Sequence, residues 1–214
     1  MSRKILGLDI RPKGIWAVLV QTGFKANAIV DYAQVSYAKS EPGADPIAAA
    51  LADIAGRMDL SGAVCAACVP AMEFAYRNMT TPFGEPKKIR QMLPYEMESA
   101  LAVPVDNLII DFTKTTVPGE NGGTRLIAAA GESAKLKAHI DALETHAITP
   151  NIITPGAYPV ALFLNSRTDT PDNWLLVDMD DRAGTLILAK DRHICLIRAF
   201  PLSQSPDRVP EQVL

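Results

Sequence analysis

Leu6-Gly-Leu-Asp-Ile-Arg11, near the start of the chain, and Leu175-Leu-Val-Asp-Met-Asp180, near its end, are built alike. Each is a short apolar run that reads as a buried strand, reaches an aspartate, turns, and returns as a second strand. After Asp9 the turn is Arg11-Pro-Lys-Gly14. The return strand is Gly14 to Gln21, where Ile15, Ala17 and Leu19 alternate with Trp16, Val18 and Val20. Ala26 to Tyr37 completes a three-stranded meander. The second copy follows the same plan, with strands expected over Trp174–Met179, Thr185–Lys190 and His193–Phe200. A meander recurring at both ends is a weak internal repeat.

Between the meanders the periodicity changes. Asp45-Pro46 has the pattern of a helix cap followed by proline in the first turn, and Ile47, Leu51, Ile54, Ala55 and Met58 recur at helical spacing. Ala63–Val69 and Phe74–Thr80 read as strands, so the front portion is β-β-β-α-β with a further strand leading out. Glu85–Leu101 reads as a helix that Pro94 is expected to kink or break. Leu108–Thr116 and Thr124–Ala130 read as a hairpin around the loop 118–123. A helix capped by Ser133 runs to His146, a short strand covers Asn151–Thr154, and a last helix begins at Pro155. Residues 203–214 are polar and proline-rich. The pattern predicts a mixed α/β protein, sheets with helices packed on them.

Composition narrows the function. Of 214 residues, 48% are hydrophobic and 21% charged, with a net charge of -3. Ample apolar material and low net charge argue against disorder, and the absence of a basic excess argues against nucleic-acid binding. Nothing resembles a secretory leader, and no stretch reaches the roughly 18 apolar residues of a membrane helix. The expected location is the cytoplasm. Cys65 and Cys68 form a C-x-x-C, which is compatible with redox chemistry or half of a metal site. It lies in Gly62-Ala-Val-Cys-Ala-Ala-Cys-Val69, a strand on which residues three apart face opposite sides, and no ligand set completes it. His139, His146 and His193 are scattered, and there is no G-x-x-x-x-G-K-[ST] loop, so no catalytic set is expected.

The duplicated strand-Asp-turn-strand resembles the two phosphate loops of the actin-like ATPase superfamily. There each loop usually reads Asp-x-Gly and the two aspartates face each other around Mg-ATP. The resemblance places Asp9 and Asp178 as cofactor-binding positions. Both glycines are replaced, by Arg11 and by Asp180, and Pro12 has no N–H to donate. Asp181 adds further negative charge. ATP and Mg are therefore not expected as cofactors, and the chain is expected not to be an enzyme.

A longer run, Tyr76-Arg-Asn-Met-Thr-Thr-Pro-Phe-Gly-Glu-Pro-Lys-Lys-Ile-Arg-Gln-Met-Leu-Pro-Tyr-Glu-Met-Glu-Ser-Ala-Leu-Ala-Val-Pro-Val-Asp106, resembles one family. This is the type II secretion system protein L (GspL) and its relative, the pilus-assembly protein PilM. The shared features are the arginine, Thr-x-Pro-Phe, a basic helix start, Leu-Pro-Tyr-Glu-x-Glu, and Pro-x-Asp before a strand. The helix carries Lys87, Lys88 and Arg90 early and Glu96 and Glu98 late, which opposes the helix dipole. These five are candidate partner-binding residues.

The resemblance implies an actin-like (ribonuclease H-like) first lobe over 1–80 and 155–168, a small inserted α+β subdomain over 81–154, and the beginning of a second lobe over 172–214. It implies a scaffold at the cytoplasmic face of the inner membrane that recruits the secretion ATPase and couples it to the membrane assembly. The other reading is a PilM-like ATP-binding protein of type IV pilus assembly. A cell-division actin homologue shares the lobe-plus-insert plan but lacks the Pro-Tyr-Glu segment. Implied partners are the secretion or pilus ATPase, other platform proteins, and a second copy in a homodimer. Membrane association is expected through a segment outside this chain, which reads as a fragment of a longer protein.

Overall fold

The computed structural model describes residues 3–24, 26–37, 45–98, 101, 103–115 and 123–202. The loop expected over 118–123 lies outside them except for Gly123, and the tail 203–214 lies outside them entirely. The fold is mixed α/β, as the periodicity predicts, and its contacts form two compact units: 1–70 with 135–156, and 71–134 with 157–214.

The first unit is built on one five-stranded sheet. β1 (Arg3–Arg11), β2 (Gly14–Thr22) and β3 (Asn27–Ser36) form the meander, and β4 (Val64–Val69) and β8 (Pro150–Pro155) extend it in parallel, in the order β3-β2-β1-β4-β8. Alternation decides which way each strand faces: Leu6, Leu8 and Ile10 of β1 are buried, whereas Gly7, Asp9 and Arg11 lie half-buried on the other side. α1 (Pro46–Arg57) covers the buried face with Leu51 and Ile54. The Asp45 carboxylate caps it, accepting from the Ile47 N–H at 2.9 Å. Leu143, near the end of α3 (Ser133–Glu144), and Ile148 close the same core.

The second unit holds two three-stranded sheets. β5 (Phe74–Thr81), β7 (Thr124–Glu132) and β6 (Leu108–Lys114) form one, ordered β5-β7-β6. α2 (Pro86–Glu98) packs on it through Ile89, Leu93 and Met97 against Leu126, Ala128 and Ala130. β9 (Trp174–Met179), β10 (Ala183–Lys190) and β11 (His193–Pro201) form the other as a meander. Its buried residues Ile187, Ile194 and Ile197 share a core with Ile127 of β7 and with Ala157 and Ala161 at α4 (Tyr158–Ser166). Gly184 of β10 sits under the ring of Phe200, where a Cβ would meet ring carbons at 2.4 Å.

Several expectations change. Pro94 does not break α2, because the three buried apolar side chains hold the helix on the sheet across it. The Ser133 hydroxyl donates to the Asn107 carbonyl oxygen instead of accepting at the helix start. The last helix begins at Tyr158, not Pro155, since Pro155 is still paired with Val69 and the Gly156 N–H donates to the Val69 carbonyl at 2.8 Å. The expected boundaries at 80, 154 and 168 also differ from those of the compact units. β5 pairs with β7 and so lies with the segment read as an insert. β8 pairs with β4 and so returns to the first sheet.

Candidate functional site

Asp9 and Arg11 are two apart on β1 and share a face, so the hairpin brings them together without any further constraint. The Arg11 Nε donates to the Asp9 carboxylate at 2.7 Å. Trp16, opposite Asp9 in the β1–β2 register, lies below the Arg11 guanidinium, 5.8 Å from it to the ring centre. On the other side Asp9 is opposite Cys68 of β4. Burial, together with the Asp9 charge, pushes the Cys68 thiol up to about 12. The residue standing in the glycine position therefore places a cation on the aspartate. The turn's Pro12 brings no N–H, and the Lys13 carbonyl is taken by the Tyr37 N–H at 2.9 Å.

The second turn is closed by its own acid. The Asp180 carboxylate accepts from the backbone N–H groups of Arg182 at 2.7 Å and Ala183 at 2.9 Å, while the Asp180 N–H donates to the Ala183 carbonyl. Convergent backbone N–H groups of this kind form the cradles that hold phosphate oxygens. Here a carboxylate oxygen already sits on them. Asp178, one position before the end of β9, is half-buried and opposite Thr185, itself 7% exposed.

The five charges on α2 divide. Lys87, Lys88, Arg90, Glu96 and Glu98 all lie on its exposed side. Arg90 is engaged by Asp111 of β6 at 2.8 Å and lies over the Phe112 ring at 5.3 Å, and Lys88 lies 3.5 Å from Glu85. Tyr95, among these charges, is 77% exposed, and the sequence reading did not single it out. Cys65 and Cys68 face opposite sides of β4, as their spacing predicts. Cys65 is buried and its thiol is pushed up to about 11 by desolvation, while Cys68 is half-buried. Among the described residues no group of His, Cys, Asp or Glu is arranged to hold a metal ion, and no helix is long and apolar enough to cross a membrane.

No family model matches the sequence, and no curated protein does. Solved structures do resemble it. A chain of the PilM-PilN type IV pilus biogenesis complex superposes with a TM-score of 0.72 at 20% identity, over 94% of this chain and 62% of that one. The cytoplasmic domain of EpsL, an inner-membrane component of the type II secretion system of Vibrio cholerae, gives 0.60 at 15% identity, over 92% and 71%. A Bacteroides thetaiotaomicron protein of unknown function with an actin-like ATPase fold gives 0.51 at 9% identity, over 94% and 71%. The fold is thus the actin-like one. The chain spans about three fifths of the length of the PilM-PilN complex chain it matches.

Proposed function

We propose that this chain is an interaction scaffold of a bacterial inner-membrane platform and that it does not turn over ATP. The observation that carries the reading is the Asp180 carboxylate on the amides of Arg182 and Ala183. A triphosphate would have to displace that carboxylate and then sit beside it, a like-charge contact in a half-buried turn. At the other turn a metal ion would compete with Arg11 for Asp9. Both rearrangements subtract from any binding free energy.

The platform assignment is supported by the fold similarity to the EpsL cytoplasmic domain and to the PilM-PilN complex chain, together with the Arg77 to Asp106 segment. Type II secretion is the first reading, with the secretion ATPase as partner at the cytoplasmic face of the inner membrane. Pilus assembly is the second, and the higher similarity to the PilM-PilN complex chain favours it. A PilN-like platform protein is its natural partner. Exposed Lys87, Lys88 and Tyr95 on α2 are the docking residues we assign, with Glu96 and Glu98 beside them, while Arg90 is held within its own subdomain.

Titration calorimetry with Mg-ATP tests the nucleotide half of the proposal. No saturable heat is expected up to about 1 mM nucleotide, the concentration range of weak binding near -4 kcal/mol. A micromolar isotherm abolished by Asp9→Ala would refute it and revive the ATP-binding reading.

A further inference from the structure

Away from both aspartate turns, the second unit contains a groove of about 710 Å³ that neither reading uses. Its walls come from both sheets of that unit. β5 and β7 supply Asn78, Thr80 and Arg125, and β10 and β11 supply Lys190 and Cys195. The Asn78 side-chain amide donates to the Cys195 carbonyl oxygen at 2.6 Å, tying the two walls.

The charge in this groove is of one sign. Arg125 and Lys190 line it, with no acidic residue. Other arginines of the same unit are paired: Arg90 with Asp111, Arg167 with Asp169, and Arg192 with Asp172. Among the described residues, Arg125 and Lys190 have no carboxylate partner. Between them the apolar side chains are Leu188, 38% exposed, and Leu196, while Met79 and Leu126 border the groove with their side chains turned to the α2 core. β5 and β11 are edge strands, each with one side unpaired within its sheet.

We propose that the groove binds an extended acidic segment of a partner protein, with carboxylates on Arg125 and Lys190 and alternate apolar side chains on Leu188 and Leu196. Two unpaired cations ask for anions, and the apolar lining asks for side chains that a bare phosphate lacks. Strand edges suit a peptide backbone, because an extended chain can pair with edge N–H and C=O groups beyond the Cys195 carbonyl that Asn78 takes, while sending alternate side chains to one side. The proposal rests on the scaffold reading only in taking the ligand to be a protein.

Cys195 makes the test direct, since its thiol is half-buried in the groove. The probes are a fluorescein-labelled Asp-Leu alternating octapeptide, a Lys-Leu octapeptide, and tripolyphosphate, added to the whole chain. The Asp-Leu peptide should bind by fluorescence polarisation and slow alkylation of Cys195. Labelling of Cys65 and Cys68 should not change. Lys190→Glu should weaken binding at least about tenfold, and Lys190→Ala less, with far-ultraviolet circular dichroism unchanged because Lys190 is exposed. Equal binding of the Lys-Leu peptide, unchanged affinity in Lys190→Glu, or no binding at all would overturn the proposal. Equal protection of Cys195 by tripolyphosphate would also overturn it, and would make the groove a small-anion site. Failure of the scaffold reading would appear instead as an Mg-ATP isotherm, which none of these measurements reports.

Discussion

Asp180→Ala isolates the step that most separates this chain from a phosphate-binding loop. The substitution deletes two hydrogen bonds from a carboxylate to backbone N–H groups, at 2.7 and 2.9 Å. Hydrogen bonds to charged groups contribute roughly 1.5–3 kcal/mol when nothing replaces them. Asp180 is only half-buried, so water takes over part of the role, and helix caps of similar geometry are worth about 1 kcal/mol. Relief of repulsion from half-buried Asp178 and exposed Asp181 works the other way, by a few tenths of a kcal/mol. The hydrogen bonds win, and a net loss of about 1–2 kcal/mol is expected. Urea unfolding reads it. Trp16 lies in the first unit and Trp174 in the second, so a Trp16→Phe background leaves fluorescence to the strand that enters this turn. With a slope of about 2 kcal/mol/M the midpoint should fall by roughly 0.5–1 M. Asp180→Asn keeps an acceptor oxygen and should lose about half as much. An unchanged or raised midpoint for Asp180→Ala would show that repulsion dominates, and the argument that the turn is satisfied by its own acid would fail.

Reversal of Lys87 and Lys88 to glutamate should abolish capture of the ATPase or the platform protein while moving stability by less than about 0.5 kcal/mol, as exposed charges do. Adding Arg90→Glu should cost a further 1 kcal/mol or so, because it breaks the Asp111 pair and the contact over Phe112. Pull-downs at low and moderate salt check the first point and urea unfolding the second, and undiminished capture would confine α2 to a structural role. Gly184→Ala should destabilise the second unit by about 1–3 kcal/mol through overpacking against Phe200, and Phe200→Leu in the same chain should restore most of it. A neutral Gly184→Ala would mean that the ring moves aside freely.

Local signals carried most of the element assignment. The alternation around Leu6 and Leu8, the Asp45-Pro46 cap, and the stripe Ile89, Leu93 and Met97 each follow from period and short-range hydrogen bonding, which a sequence displays directly. What escaped was pairing between distant segments. Phe74–Thr81 follows β4 closely in the chain and falls in the first lobe as read over 1–80, yet its partner is β7 across an intervening helix and hairpin strand. The pair β4 and β8 is more remote still in sequence. Strand pairing is chosen by which faces can be buried together, and no local period records that choice. Pro94 does not break α2 for a related reason, since packing of three apolar side chains outweighs one missing backbone hydrogen bond.

The repeat exposed Asp9 and Asp178, but what surrounds them needed geometry. Arg11 and Asp180 both read in the sequence as missing glycines. In the structure they do opposite things: one puts a cation on a carboxylate, the other puts a carboxylate on two amides. Each substitution supplies the charge that its turn would otherwise take from a bound ligand. A turn compensated in this way stands without nucleotide, whereas a bare Asp-x-Gly loop leaves its amides to water until phosphate arrives. Arg125 and Lys190 had no such signature, being single charges on strands of different sheets that only tertiary pairing brings to one groove. The same distinction orders the molecule's candidate contacts. The charges at the two turns are answered inside the chain, whereas Arg125 and Lys190 in the groove and the exposed charges of α2 are placed to answer a partner.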